Sequence, residues 1–311
     1  MTRAFIFPGQ GSQKVGMGKD LAAASAEARA VFQEVDEALG QNLFKLMCEG
    51  SADELQLTEN AQPAIMANAI AVMRALEHAA GDGPVTFAFV AGHSLGEYSA
   101  LCAAGSLDLA TTARLLKLRG QAMQAAVPVG EGAMAALLGI EFEEALKAAE
   151  QAAGDQVCAV ANDNAFGQAV ISGHVAAVER CLPIAKDLGA RKAMMLPVSA
   201  PFHCSLMQPA ADRMAEALAD TMIKTPCAPL FANVTAAPVS DPAQIRALLV
   251  DQVTGMVRWR ESVMAMHAAG VDHFIELGGK VLVPMIKRIV EDVASESLVE
   301  MRDIESLLEV V

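Results

Sequence analysis

Apolar positions change their period repeatedly along this chain, and each change predicts an element. Arg3–Phe7 is a short apolar run of strand type. Leu21–Leu39 follows with Ala28, Val31, Phe32, Val35 and Leu39 spaced by three and four, the period of a helix. Ala64–Ala80 predicts a second helix, with Pro63 near its first turn. Val85–Ala91 is almost continuously apolar, the pattern of a strand buried on both faces of a parallel sheet. Glu97–Ala104, Leu107–Ala125, Met207–Leu218 and Glu261–Ala269 read as helices, and Leu230–Val234 and His273–Leu277 as strands. This alternation is that of an α/β fold built on a parallel sheet.

The stretch 128–198 has a rhythm of its own. Met134–Ile140 predicts a strand and Phe142–Ala153 a helix. Val157–Ala161 and Ala169–Ser172 predict two strands separated by the turn-rich Asn162–Gly167. Val175–Leu188 reads as a helix with Pro183 as a kink, and Lys192–Pro197 as a last strand. The order βαββαβ is the ferredoxin-like pattern. The expected organisation is therefore a large α/β domain, residues 1–127 and 199–311, with a small ferredoxin-like lobe, residues 128–198, inserted into it. A cleft between two lobes is a common ligand site.

Composition narrows the classes. Hydrophobic residues are 53% of the 311 and charged residues 19%, which excludes a disordered chain. Mean hydropathy is +0.34, yet the apolar runs break at Glu59, Arg74, Glu97 and Asp108, short of the roughly 18–20 residues a spanning helix needs. The apolar core of Met1–Pro8 is too short for a signal peptide. A cytoplasmic protein with no membrane partner is expected. The formal net charge of −14 argues against nucleic-acid binding. Cys48, Cys102, Cys158, Cys181, Cys204 and Cys227 are scattered without a C-x-x-C pair, so buried thiols are expected rather than disulfides or a metal site.

The chemistry concentrates in a few segments. Gly92-His93-Ser94-Leu95-Gly96 matches G-x-S-x-G, between the most apolar strand and a helix. That context is a nucleophile elbow, with Ser94 at a helix N-terminus where free N–H groups stabilise negative charge. A serine nucleophile needs a base. Among His78, His93, His174, His203, His267 and His273, the best placed is His203, in a Pro201-stiffened junction at the end of the inserted lobe, ahead of His273. Arg119 lies with Leu115, Ala122 and Met123 on the apolar side of its helix, so its guanidinium must be paired inside the protein or await a ligand carboxylate. Phe7-Pro8-Gly9-Gln10-Gly11-Ser12-Gln13 fails as a dinucleotide fingerprint, because Lys14 stands where the third glycine belongs. A glycine-rich loop at a strand's end can instead offer an N–H to an oxyanion.

Taken together, Phe7–Gln13, Gly92–Tyr98, Arg119 within Leu115–Met123, Ala161–Gly173, Val198–Met207 and Gln252 before Trp259 resemble the malonyl-CoA:acyl-carrier-protein transacylases of type II fatty-acid synthesis. The resemblance spans residues 7 to about 282. It implies that Ser94 accepts the acyl group, that His203 is its base, and that Gln252 holds His203 through its side-chain or backbone carbonyl in place of a triad acid. It implies an oxyanion hole of the Gln10 and Leu95 N–H groups and a malonyl carboxylate on Arg119. Asn162 and Phe202 would line the cleft. No metal or cofactor is implied; the partners are malonyl-CoA and acyl carrier protein, and the chain is expected to act as a monomer. Glu276-Leu277-Gly278-Gly279-Lys280 departs from the family's usual Gly-Pro-Gly. Since carrier proteins are acidic, a local basic patch is expected from Lys186, Arg191, Lys192, Lys280, Lys287 and Arg288.

Two other classes fit parts of the pattern. A serine thioesterase or esterase of α/β-hydrolase type needs an acid between Ser and His in chain order. Asp108, Asp155, Asp163 and Asp187 are available, but none is at an evident strand end. A non-catalytic carrier-binding scaffold would have no use for Ser94, His203 and Arg119 together.

Overall fold

The computed structural model describes residues 1–81, 85–198 and 200–309. Ten strands form two sheets: β1 (Arg3–Phe7), β2 (Phe89–Gly92), β3 (Gly132–Leu138), β4 (Cys158–Ala165), β5 (Gln168–His174), β6 (Lys192–Met195), β7 (Leu230–Ala232), β8 (Ala237–Val239), β9 (His273–Leu277) and β10 (Ala294–Leu298). The larger sheet runs β10-β9-β1-β2-β7-β8, all parallel except β8, which pairs antiparallel with β7.

Alternation along β1 explains why Ala4–Phe7 is uniformly apolar. Ala4 and Ile6 face one side, with Trp259, Val263, Phe274 and Ile286. Phe5 and Phe7 face the other, among residues of the Ala26–Leu39, Thr58–Ala79 and Gly96–Ala103 helices. Helices cover both faces, so Ala4, Phe5, Ile6 and Phe7 are all buried.

The smaller sheet is antiparallel, in the order β4-β5-β3-β6. Its chain order is strand, helix Phe142–Ala153, strand, strand, helix Val175–Asp187, strand. Ala133, Ala135 and Leu137 of β3 pack under the two helices in a separate core. Met134 and Ala136 point the opposite way, into a cleft shared with the larger sheet. The N-terminal limit expected for the large domain's second segment, Ser199, lies outside the described residues.

Several boundaries differ from the sequence reading, each for a local reason. The single helix expected over Leu21–Leu39 is two, Lys19–Ala24 and Ala26–Leu39. Ser25 takes extended angles and its hydroxyl accepts the Ala28 N–H at 3.1 Å, so it caps a new helix. The helix expected from Ala64 starts at Thr58 and carries Pro63 in its interior. That earlier start brings Thr58 and Gln62 to the site. β2 is only Phe89–Gly92, because β1 begins at Arg3 and offers no rungs to residues 85–87. Phe87 packs instead on Phe5, ring centroids 4.7 Å apart. The turn expected at Asn162–Gly167 narrows to Phe166 and Gly167, since β4 continues to Ala165 through two register shifts. These irregularities let Asn162 bridge to Val257, outside the small sheet.

Candidate active site

Ser94 sits between β2 and the Gly96–Ala103 helix with φ of +55°. A non-glycine residue in that region stores roughly 1–3 kcal/mol of strain that the surroundings must hold in place. The two flanking glycines show how. A Cβ on Gly92 would lie 1.9 Å from the Gly96 carbonyl carbon, and one on Gly96 would lie 2.2 Å from the Phe7 carbonyl oxygen. The bend closes on itself and against the end of β1. The Ser94 N–H donates to Asn233 Oδ1 at 2.8 Å, and Asn233 Nδ2 donates to the Gly92 carbonyl at 2.7 Å. This clamps both sides of the turn and leaves Oγ free for chemistry.

The Ser94 Oγ lies 2.7 Å from His203 Nε2. His203 also has positive φ, +58°, and its Nδ1 is 2.9 Å from the Gln252 carbonyl and 3.2 Å from that of Gly255. Two acceptors at Nδ1 require its proton to be there, which leaves the Nε2 lone pair toward the serine hydroxyl. Burial, helped by the nearby Arg119 cation, pushes the His203 pKa down to about 3. The imidazole is therefore neutral, the form a base needs. Among the described residues no carboxylate bonds His203. Asp108 caps the Leu109–Ala125 helix, Asp163 pairs with Arg260, and Asp155 and Asp187 are exposed. His273, the other candidate base, pairs with Glu296 on β10.

Of the two routes open to Gln252, the backbone carbonyl is the one that holds His203. The side chain serves Arg119 instead: its Oε1 accepts from Nη2 at 2.8 Å. Arg119 is fully enclosed, donates from Nη1 to Gln62 Oε1 at 2.8 Å, and reaches Ser94 Oγ with Nη2 at 3.2 Å. Among the described residues its Nε has no partner and no carboxylate is bonded to the cation, which is held by neutral amide oxygens and a hydroxyl. Burial alone pulls its pKa downward, opposed by Tyr98 and Glu97 nearby.

Gln62, Glu97, Asn164 and Asn233 were not identified from the sequence. Gln62 Nε2 donates to Thr58 Oγ1 at 3.1 Å, and Thr58 donates to Gln10 Oε1 at 2.8 Å, so one chain of bonds links Arg119 to the Gln10 loop. The buried Glu97 carboxylate accepts from the Asn233 N–H and from Gln252 Nε2. Burial pushes its pKa up to about 8, against the pull of those donors and of Arg119. Asn164 Oδ1 is 2.8 Å from His93 Nε2, which holds that ring away from the nucleophile. The available signal was polarity in otherwise apolar stretches, such as Gln62 within Ala61–Ala67.

The cleft has a volume of about 410 Å³. Its walls include Gln10, Ser94, Leu95, Arg119, Asn162, Phe202 and His203, so every expected site residue except Gln252 borders it, and Gln252 lies just behind. The Gln10 and Leu95 N–H groups find no acceptor among the described residues. The Val281, Leu282 and Met285 wall follows the Glu276–Lys280 departure. There the buried Glu276 carboxylate accepts N–H groups from Val281, Leu282 and Val283 at 2.8–3.1 Å and fixes the start of the Val283–Ile289 helix.

A serine on a strained elbow, a neutral histidine oriented by carbonyls and an enclosed arginine with no carboxylate bonded to it among the described residues form an arrangement suited to acyl transfer. Comparison agrees: residues 4–303 match the acyl transferase domain family, and the chain belongs to it. It is 45% identical over 298 residues to the malonyl CoA-acyl carrier protein transacylase of Escherichia coli K12, covering 96% of each chain. The acyl-carrier-protein-S-malonyltransferase of Bartonella henselae superposes with a TM-score of 0.97 at 50% identity, covering 100% of this chain and 99% of that one. A malonyl-transacylase solved with its type II PKS acyl-carrier protein superposes with a TM-score of 0.97 at 38% identity, covering both chains fully.

Proposed function

We propose that this enzyme transfers a malonyl group from malonyl-CoA to the phosphopantetheine thiol of an acyl carrier protein through a malonyl-Ser94 ester. The observation that carries the reading is the Arg119 cation at 3.2 Å from the nucleophile, bonded only to neutral acceptors. An enclosed guanidinium without an acid favours a substrate that brings one, and two parallel N–H donors match a carboxylate.

The steps follow from the atoms present. His203 Nε2 takes the Ser94 proton as Oγ attacks the thioester carbonyl. Nδ1–H keeps donating to the Gln252 and Gly255 carbonyls, which favour the imidazolium that forms. The carbonyl oxygen becomes an oxyanion between the Gln10 and Leu95 N–H groups, a stabilisation worth ~3–4 kcal/mol in comparable sites. The C–S bond breaks, and the CoA sulfur leaves with the proton held on His203. The carrier thiol then gives its proton to His203 and attacks the ester, and Ser94 Oγ leaves and regains that proton. The two half-reactions share one site, which is ping-pong kinetics. Asn162 and Phe202 shape the acyl pocket.

In this reading the larger unit is α/β-hydrolase-like and residues 128–198 form a ferredoxin-like insertion; the connectivity and strand order of the small sheet support it. One chain supplies every group of the site, so a monomer suffices. The chemistry needs no metal or cofactor. Among the described residues no helix is long and apolar enough to cross a membrane, in keeping with work in the cytoplasm.

Intact mass after exposure to malonyl-CoA tests the proposal. A malonyl adduct on the Ser94 peptide, discharged by holo carrier protein, supports transfer. Rapid release of free malonate with no carrier requirement would make the protein a thioesterase.

A further inference from the structure

We infer that Glu97 is the positioning residue that fixes which way round the Gln252 amide lies, and so sets the selectivity of Arg119 for acid-bearing acyl groups. The inference deepens the proposed function and rests on its reading of Arg119. Gln252 uses both ends of its amide. Oε1 accepts from Arg119 Nη2 at 2.8 Å, while Nε2 donates to the Ser94 carbonyl at 2.9 Å and to Glu97. A flipped amide would set its NH2 against the guanidinium and its oxygen against a carbonyl and a carboxylate. Arg119 would then lose an acceptor and be driven from its place beside Ser94.

Glu97 is suited to prevent that flip because both its oxygens must accept. One takes the Asn233 backbone N–H, which can only donate, and the other the Gln252 amide, whose flip would cost its contacts with Arg119 and the Ser94 carbonyl. Glutamine at this position has one acceptor and one donor, so one of the two contacts becomes donor against donor. Only the ionised form satisfies both, so at Glu97 burial, which favours the acid, and the two donors, which favour the carboxylate, oppose each other. The placement also resolves an electrostatic difficulty. A buried cation needs negative charge nearby, but an acid bonded directly to Arg119 would occupy the donors meant for the substrate. Glu97 stands one amide away. In its ionised form it attracts the guanidinium through Gln252 and leaves the ligand face unclaimed.

The test compares kcat/KM for malonyl-CoA and acetyl-CoA in wild type, E97Q and R119A, with thermal unfolding recorded for each. For E97Q the malonyl value should fall by about tenfold or more, the scale of a lost hydrogen bond to a charged group, while acetyl transfer changes far less. A brace that merely holds the elbow together would lower both substrates alike, and that result overturns the inference. If R119A abolishes the malonyl preference and E97Q preserves it, the Glu97 inference fails while the Arg119 reading stands. If R119A itself leaves the preference intact, the reading beneath fails and the inference with it. Should E97Q not accumulate as folded protein, E97D is read the same way, since it draws the carboxylate back from Gln252 by one methylene: lost malonyl preference supports the inference and a wild-type ratio overturns it.

Discussion

Arg119 Nη2 and Ser94 Oγ are 3.2 Å apart, so the cation proposed to select the substrate touches the oxygen proposed to attack it. A short diacid fits such a spacing, with one end at the nucleophile and the other on the guanidinium. R119A should therefore lower malonyl transfer by about 100-fold or more, the scale of a lost bidentate ion contact. Transfer of uncharged acyl groups should persist or improve, because the site no longer contains an unpaired cation that penalises them. Steady-state rates with malonyl-CoA and acetyl-CoA decide the matter: equal loss on both would mean that Arg119 only holds the fold.

The same proximity predicts an unusual pH profile. Burial and Arg119 hold the His203 pKa at about 3, so the folded protein keeps this base neutral well below the ordinary histidine value of 6.5. Between pH 8 and about 5 the rate of Ser94 acylation at saturating malonyl-CoA should show no limb from His203, and a fall beginning near 8 belongs to protonation of Glu97. In R119A the acid limb should move upward, since a positive neighbour has gone. Stability runs with the opposite sign from a salt-bridged histidine. Below pH 6.5 the unfolded chain binds a proton that the folded chain refuses until pH approaches 3, so the contribution is complete above 6.5 and falls across that window. Rapid-quench acylation and unfolding curves over pH 4–8 measure both. A histidine-like limb near 6.5 in the wild type would contradict the desolvated geometry.

What could be read in advance divides along a physical line. Ser94, His203 and Arg119 were legible because each breaks a local rule: a serine between glycines after a buried strand, a histidine at a proline-stiffened junction, a charge on an apolar helix face. Phe142–Ala153 was legible to the residue because its stripe is amphipathic. Gln62, Glu97 and Asn233 were not, since nothing within a few residues of them shows that two helices and the turn after β7 bring them to the same site. The division of labour in Gln252, backbone to His203 and side chain to Arg119, depends on the closing of the whole fold. The short Leu43–Glu49 and Ala52–Gln56 helices also escaped notice, because one or two turns carry too little periodicity to register.

Gly96 offers a stability test of the elbow. Its missing Cβ leaves room for the Phe7 carbonyl, which a methyl would meet at 2.2 Å. G96A should push the end of β1 from the turn and cost about 1–3 kcal/mol or more. Acylation should fall further than stability alone explains, because Gln10 follows β1 by three residues. Denaturant midpoints and single-turnover acylation in parallel distinguish the two; a variant of wild-type stability and rate would show that the loops are not in contact.

The expected basic patch divides by position. Arg288 Nη1 donates to Gln168 Oε1 at 3.3 Å on the cleft wall, and Lys280 precedes the Val281–Leu282 wall. Lys186 belongs to the Val175–Asp187 helix, which covers the face of the small sheet turned away from the cleft. Charge reversal at Lys280 and Arg288 should raise the KM for carrier protein several-fold and flatten its salt dependence, with hydrolysis of a small activated ester unchanged. Reversal at Lys186 should do neither. Carrier titrations at two ionic strengths provide the measurement, and a Lys186 variant as impaired as the others would relocate the docking face.

Asp163 and Arg260 join the two sheets' units at a second pocket, lined by Phe142, Phe166 and Gly167, behind the strand that carries Asn162 and Asn164. Asp163 lies on β4 with its side chain 2% exposed, and its carboxylate meets Arg260 Nη2 at 2.7 Å and Nε at 2.9 Å. The Arg260 guanidinium also lies 5.0 Å from the Phe166 ring centroid and 5.5 Å from that of Phe142. Burial works against the Asp163 charge, and Arg260 compensates it. The two removals are therefore unequal. R260M strands a carboxylate in an apolar setting and should cost about 3 kcal/mol or more, whereas D163N leaves a cation with 17% of its side chain exposed that can turn outward and should cost less. Because β4 also carries Asn162 and Asn164, R260M should widen the cleft and raise the KM for malonyl-CoA together with the loss in unfolding midpoint. Equal destabilisation by the two variants, or an unchanged KM in R260M, would mean that the ion pair does not position the cleft wall.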